Sequence, residues 1–123
     1  EIQKKLQDIR DNKQLNTLSQ VVASKALADP KYMKKYVQQL KMSKENLADS
    51  LKRLGYTVVV REGNFLLLKV SNPKELVSAL AEHNIFIRDR SNLPQLAKFV
   101  RISIPPIDRV DELVEVIAEN SKP

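Results

Sequence analysis

The chain has no cysteine, no tryptophan, one histidine and only two glycines in 123 residues. Without cysteine there is no disulfide framework, no thiolate nucleophile and no thiolate metal site. That usage fits a reducing compartment, and a cytoplasmic location is expected. His83 has no neighbouring set of ligands, so a surface or helix-capping role is expected and no metal. The spacings of a Gly-rich phosphate loop, of His-Glu-x-x-His and of a nucleophile elbow are all missing. Ser91 and Ser103 have no base in sight. No apolar run approaches membrane-spanning length, and the first residues are no signal peptide. Aromatics make up only 5%, and no strand pattern carries the paired aromatics that stack on bases. Phe65, Phe86 and Phe99 are dispersed and expected in the core. The chain carries no catalytic set of its own.

What is present suits one domain, with 42% hydrophobic and 29% charged residues. The net charge of +6 favours anionic partners. Lysines concentrate early, from Lys4 to Lys44, mixed with Gln38, Gln39, Glu45 and Asp49. A solvated helix face accounts for most of them. The chain opens at Glu1 directly into a helical pattern, as expected of a segment excised from a longer protein.

The periodicity predicts three helices followed by a small sheet. Ile2, Leu6 and Ile9 mark a helix over Glu1–Arg10. Asn16 or Thr17 caps a second helix with Leu18, Val21, Val22 and Ala26, ending near Asp29. Asp29-Pro30 then starts a long helix to about Leu54. Its expected stripe is Tyr32 or Met33, Tyr36, Val37, Leu40, Leu47, Leu51 and Leu54, with Gly55 as its left-handed stop. Tyr56–Val60 and Phe65–Val70 read as strands about an Arg61–Asn64 turn. The Phe-Leu-Leu-Leu run suggests burial on both faces. Ser71-Asn72-Pro73 starts a helix with Leu76, Val77 and Leu80 inward, and Asn84 can adopt its left-handed cap. Two more strands follow, stopped by Pro105 and Pro106. Asp108 is expected to cap a last helix bearing Val110, Leu113, Val114 and Ile117. The fold class is thus α/β of the α+β kind: about four strands with helices on one face, preceded by a long helical segment. The expected organisation is one domain over 1–123, with a helical segment at 1–29, a long helix at 30–54 and the sheet core at 55–123.

The two later strands each carry an arginine. An unpaired guanidinium in a strand is costly. Arg88 and Arg101 on neighbouring strands would form a fork for carboxylate or phosphate. In the second of these strands Val100, Ile102 and Ile104 share an apolar face, and Phe99, Arg101 and Ser103 share the other. The alternative is that both are ordinary edge-strand charges, or pair with Asp89 and other acids.

Asn64-Phe65-Leu66-Leu67-Leu68, Ile87-Arg88-Asp89 and Val100-Arg101-Ile102-Ser103-Ile104 together resemble the C-terminal part of histidinol-phosphate aminotransferases and their relatives. These belong to the class I/II, fold-type I enzymes that use pyridoxal phosphate. In that family an Asn-Phe precedes an apolar strand, an Arg-Asp ends the next, and Leu-Arg-Ile-Thr follows. The separation of thirteen from Arg88 to Arg101 matches the family's. Leu15-Asn16-Thr17-Leu18-Ser19-Gln20 resembles its Val-Asn-Ser-Leu-Ala-Gln, and Asp29-Pro30-Lys31-Tyr32 its Asp-Pro-Glu-Tyr. The resemblance covers nearly the whole chain, in order.

It implies that Arg101 binds the substrate α-carboxylate and that Arg88 helps hold the distal anionic group, a phosphate in the histidinol-phosphate branch. Asn16 would stand where the interdomain crossover begins, and Asn64 would be a structural turn residue near the site. The family's Ser-x-x-Lys stretch with the cofactor lysine precedes the matched region, and no such stretch stands ahead of it here. Ile104-Pro105-Pro106 stands where the family continues Val-Gly-Thr. The chain is therefore expected to be the small C-terminal domain of a longer enzyme, inactive alone and without bound pyridoxal phosphate. The missing large domain would be its partner, in a homodimer. The other function considered is a small basic module binding nucleic acid or other anions.

Overall fold

The computed structural model describes residues 16–123, so the helix expected over Glu1–Arg10 lies outside the described residues. The chain divides into two compact units between Lys35 and Tyr36. In the first, α1 spans Thr17–Leu27. Asn16 is its N-cap, with Oδ1 accepting from the Ser19 amide at 2.8 Å. Its apolar side chains Leu18, Val21, Val22 and Leu27 are exposed. The next helix, α2, spans Pro30–Arg53 and crosses the unit boundary. Asp29 caps it, its Oδ1 accepting from the Tyr32 amide at 3.1 Å.

The second unit holds a sheet of four antiparallel strands in the order β1-β2-β4-β3. These are β1 (Val58–Val60), β2 (Phe65–Lys69), β3 (Arg88–Asp89) and β4 (Phe99–Ser103). Helix α3 (Pro73–Glu82) connects β2 to β3, and α4 (Val110–Asn120) follows β4 through a 3₁₀ turn at Ile107–Arg109. Leu66, Leu68, Val100 and Ile102 are buried on one sheet face. Against them lie Leu47, Ala48 and Leu51 of α2, Leu76 and Leu80 of α3, and Val110, Leu113, Val116 and Ile117 of α4. All the helical cover of this unit is thus on one face, as the alternation of β4 predicts.

Five expectations need correction. The α2 stripe is used only from Leu40 to Leu51, while Tyr36, Val37 and Leu54 are exposed. Gly55, at φ +90, still ends that helix. The first strand begins at Val58 because Tyr56 turns into the core and donates its hydroxyl to the Ser121 carbonyl at 2.7 Å. Strand β2 is buried on one face only, and Phe65 and Leu67 on the other are half-buried. Asp108 does not cap the last helix, because the chain tightens into the 3₁₀ turn and places it inside. Arg109 instead pairs with Glu112 at 2.7 Å. None of the three phenylalanines joins the core: Phe86 is 82% exposed, and Phe65 and Phe99 are half-buried on the open face.

The edge strand β3 is short for a local reason. Asn84 takes φ +59, ending α3, and the Ile85 amide bonds back to the Leu80 carbonyl at 2.9 Å. That leaves only Arg88 and Asp89 to pair with β4. Successive tight turns then return the chain, with Gln95 at φ +67.

Candidate anion-binding site on the open sheet face

The register places Arg88 directly opposite Arg101, and Leu67 opposite Arg101 on the other side. Directly paired residues share a face, so Leu67, Arg101 and Arg88 form a row on the side away from the helices. Phe65 and Ser103 form the row on one side of it, and Lys69 and Phe99 the row on the other. Like charges directly opposite each other disfavour the pairing. Neither guanidinium meets a carboxylate among the described residues. Asp89 is otherwise engaged: its Oδ1 accepts from the Ser91 amide at 2.7 Å. The pairing with Asp89 weighed from sequence does not form.

The two arginines differ in setting. Arg88 is exposed. Arg101 is half-buried, its Nε is buried and has no hydrogen-bond partner, and its Cζ lies 5.4 Å from the Phe65 ring centroid. Phe65 is paired with Ser103, two positions along β4 from Arg101. The guanidinium therefore leans diagonally, toward β2 and away from Arg88. An arginine that leans away from its opposite neighbour suits two anionic groups on one molecule better than a single shared anion.

Of the other sequence candidates, Asn64 accepts from the Ile104 amide through its carbonyl at 2.9 Å, extending the β2–β4 ladder by one rung. Asn16 lies in the first unit, where it caps α1. Reading the apolar run as continuous hid Phe65 and Lys69 as members of the open face. The period of two in Phe65, Leu67 and Lys69 was the available signal.

Residues 1–117 match the family described as aminotransferase class I and II. The chain belongs to that family. It is 31% identical over 113 residues to a histidinol-phosphate aminotransferase of Microcystis aeruginosa, covering 90% of this chain and 32% of that protein. It thus spans about a third of the length of the curated aminotransferases it matches. The histidinol-phosphate aminotransferase of Sinorhizobium meliloti, solved in complex with pyridoxal-5'-phosphate, superposes with a TM-score of 0.78. That match covers 94% of this chain and 33% of the other at 23% identity. The aspartate aminotransferase of Thermotoga maritima gives 0.66 at 31% identity, covering 85% of this chain and 28% of the other. The four-stranded sheet with helices is thus an aminotransferase fold element, and pyridoxal phosphate comes with the family in its full-length enzymes.

Among its described residues this aminotransferase segment does not itself fit the cofactor. No described lysine is buried, and the Lys44 ammonium donates to the Arg61 and Gly63 carbonyls at 3.1 and 2.9 Å. Lys69, on the open face, is exposed. What the face offers is two arginines that no carboxylate engages among the described residues. Among the described residues no helix is long and apolar enough to cross a membrane, and no cluster of ligands could hold a metal ion.

Beside the arginines, the Asp89 carboxyl sits below its ordinary value of 3.8. The main cause is the hydrogen bond from the Ser91 backbone, then that from its side chain, with Lys74 adding to both. A depressed carboxyl stabilises the folded state above its unfolded pKa, and that contribution is lost as pH falls through the folded value. The Ser91 amide resonance is therefore expected to titrate with a midpoint below 3.8. A midpoint at or above that value would mean that the turn does not hold the carboxylate.

Proposed function

We propose that this chain is the small C-terminal domain of a pyridoxal-phosphate aminotransferase of the histidinol-phosphate aminotransferase kind. The observation that carries the reading is the pair of arginines at directly opposed positions of β3 and β4 on the open sheet face, with no carboxylate partner among the described residues. Arg101 takes the substrate α-carboxylate, and Arg88 helps hold the distal anionic group. Asn64 supports the turn beside them, and Asn16 marks the crossover from a large domain that forms the rest of the polypeptide. The exposed apolar side of α1 is then offered to that domain.

The pyridoxal phosphate bound in the full-length enzyme supplies the electron sink for the transfer. This chain's part is to bind and orient. Two fixed anion contacts remove the rotational freedom of the substrate, and closure of the domain excludes water. The full-length enzyme is a cytoplasmic homodimer in this reading. The chain alone folds but does not transaminate.

The test is the size of the native product, by immunoblot of source cells with an antibody to this domain. A band about three times the size of this chain is expected, from its share of its relatives. The purified chain with added pyridoxal phosphate and amino donor should give no product. A native band at the size of the chain, or transamination by the chain alone, would overturn the proposal.

A further inference from the structure

We infer that Phe65 is the positioning residue for Arg101: its ring carries the guanidinium and fixes where the fork of terminal nitrogens points. This rests on the reading of Arg101 as the carboxylate ligand. Three observations support it. The guanidinium carbon lies 5.4 Å from the ring centroid, within cation–π range. The Arg101 Nε is buried and has no hydrogen-bond partner, so no polar contact through that atom fixes the side chain. No carboxylate touches the terminal nitrogens among the described residues. The stack on Phe65 is then what orients a charge that would otherwise sweep through its rotamers.

The ring edge lies beside the turn that precedes it. Gly63 stands at φ +100, and a Cβ built there would meet the Phe65 ring edge at 3.4 Å. The turn at Gly63 is clamped from α2, where the Lys44 ammonium binds the Arg61 and Gly63 carbonyls. Asn64 closes the rung to Ile104 beside it. Backbone geometry therefore reaches the guanidinium through an aromatic ring. A carboxylate arriving at Arg101 meets a charge already aimed, which lowers the ordering cost of binding.

The experiment is NMR on the 123-residue chain. Wild type should show contacts between the Phe65 ring protons and the Arg101 δ protons, with slow solvent exchange of the Arg101 Nε–H. Phe65→Tyr keeps the ring and should keep both. Phe65→Leu should speed that exchange by roughly two- to fivefold, the range a cation–π contact of this exposure sustains. The core amides of Val100 and Ile102 should be unmoved. A titration with succinate, as a dicarboxylate probe, should weaken by a similar factor in Phe65→Leu and not in Phe65→Tyr. Equal exchange and equal succinate binding in wild type and Phe65→Leu would overturn the inference. If Phe65→Leu does not fold, the wild-type ring contacts decide: their presence supports the stack, and their absence overturns it. If wild type binds no succinate, the carboxylate reading fails, while the exchange data still decide whether Phe65 holds Arg101.

Discussion

Replacing Arg101 by lysine in the proposed full-length enzyme is expected to lower kcat/KM for the amino donor by about a hundredfold or more. Each hydrogen bond to a charged group contributes about 1.5–3 kcal/mol, and lysine can keep the charge but not the two-pronged contact. The ammonium would also replace the planar guanidinium in the cation–π contact with Phe65. The effect on folding should be opposite in kind. Arg101 leaves a buried Nε without a partner and stands opposite another arginine. An unsatisfied buried donor costs about 1–3 kcal/mol, while the stack on Phe65 returns about 0.5–1 kcal/mol. Arg101→Leu should therefore unfold in urea within about 1 kcal/mol of wild type, or above it. That separation is expected where function requires a group that the fold does not. A loss of about 2 kcal/mol or more in the isolated chain would place Arg101 in the structure rather than the site.

Leu68→Ala is expected to cost about 2–5 kcal/mol, the range for emptying a fully enclosed leucine site. Leu68 is 0% exposed, in the central strand β2, between Val58 of β1 and Val100 of β4. Strand neighbours are held by ladder hydrogen bonds on both sides, so the site can relax little around the lost methyl groups. For a domain with total stability of about 5–15 kcal/mol, such a loss brings the midpoint of thermal unfolding down by several degrees at least. Leu67→Ala, one residue away on the half-buried open face, should cost markedly less. Urea denaturation of the two variants side by side checks the face assignment. Equal losses would contradict it.

Much of the fold was legible in the sequence because its signals are local. Asp29-Pro30 and Asn72-Pro73 start helices, and Gly55 and Asn84 end them, through side-chain caps and left-handed backbone that depend on a few adjacent residues. The alternation in Val100, Arg101 and Ile102 told core from open face before any partner was known. The misread elements failed where distant groups decide. Tyr56 leaves its strand to reach a carbonyl sixty-five residues away. Asp108 loses its capping role to the turn that the two prolines feed.

The candidate site divides in the same way. The sequence alone determined that two arginines thirteen positions apart sit on a sheet with an apolar opposite face, and the family they point to. Only the tertiary structure decided that they stand directly across from each other, that Asp89 is taken by Ser91, and that Phe65 lies under Arg101. The physical reason is register. Phe65 and Ser103 are thirty-eight positions apart and meet only because β2 pairs with β4 in one alignment. A slip of one residue would turn every side chain on the strand to the other face, and the burial of Leu66, Leu68, Val100 and Ile102 together selects the observed one.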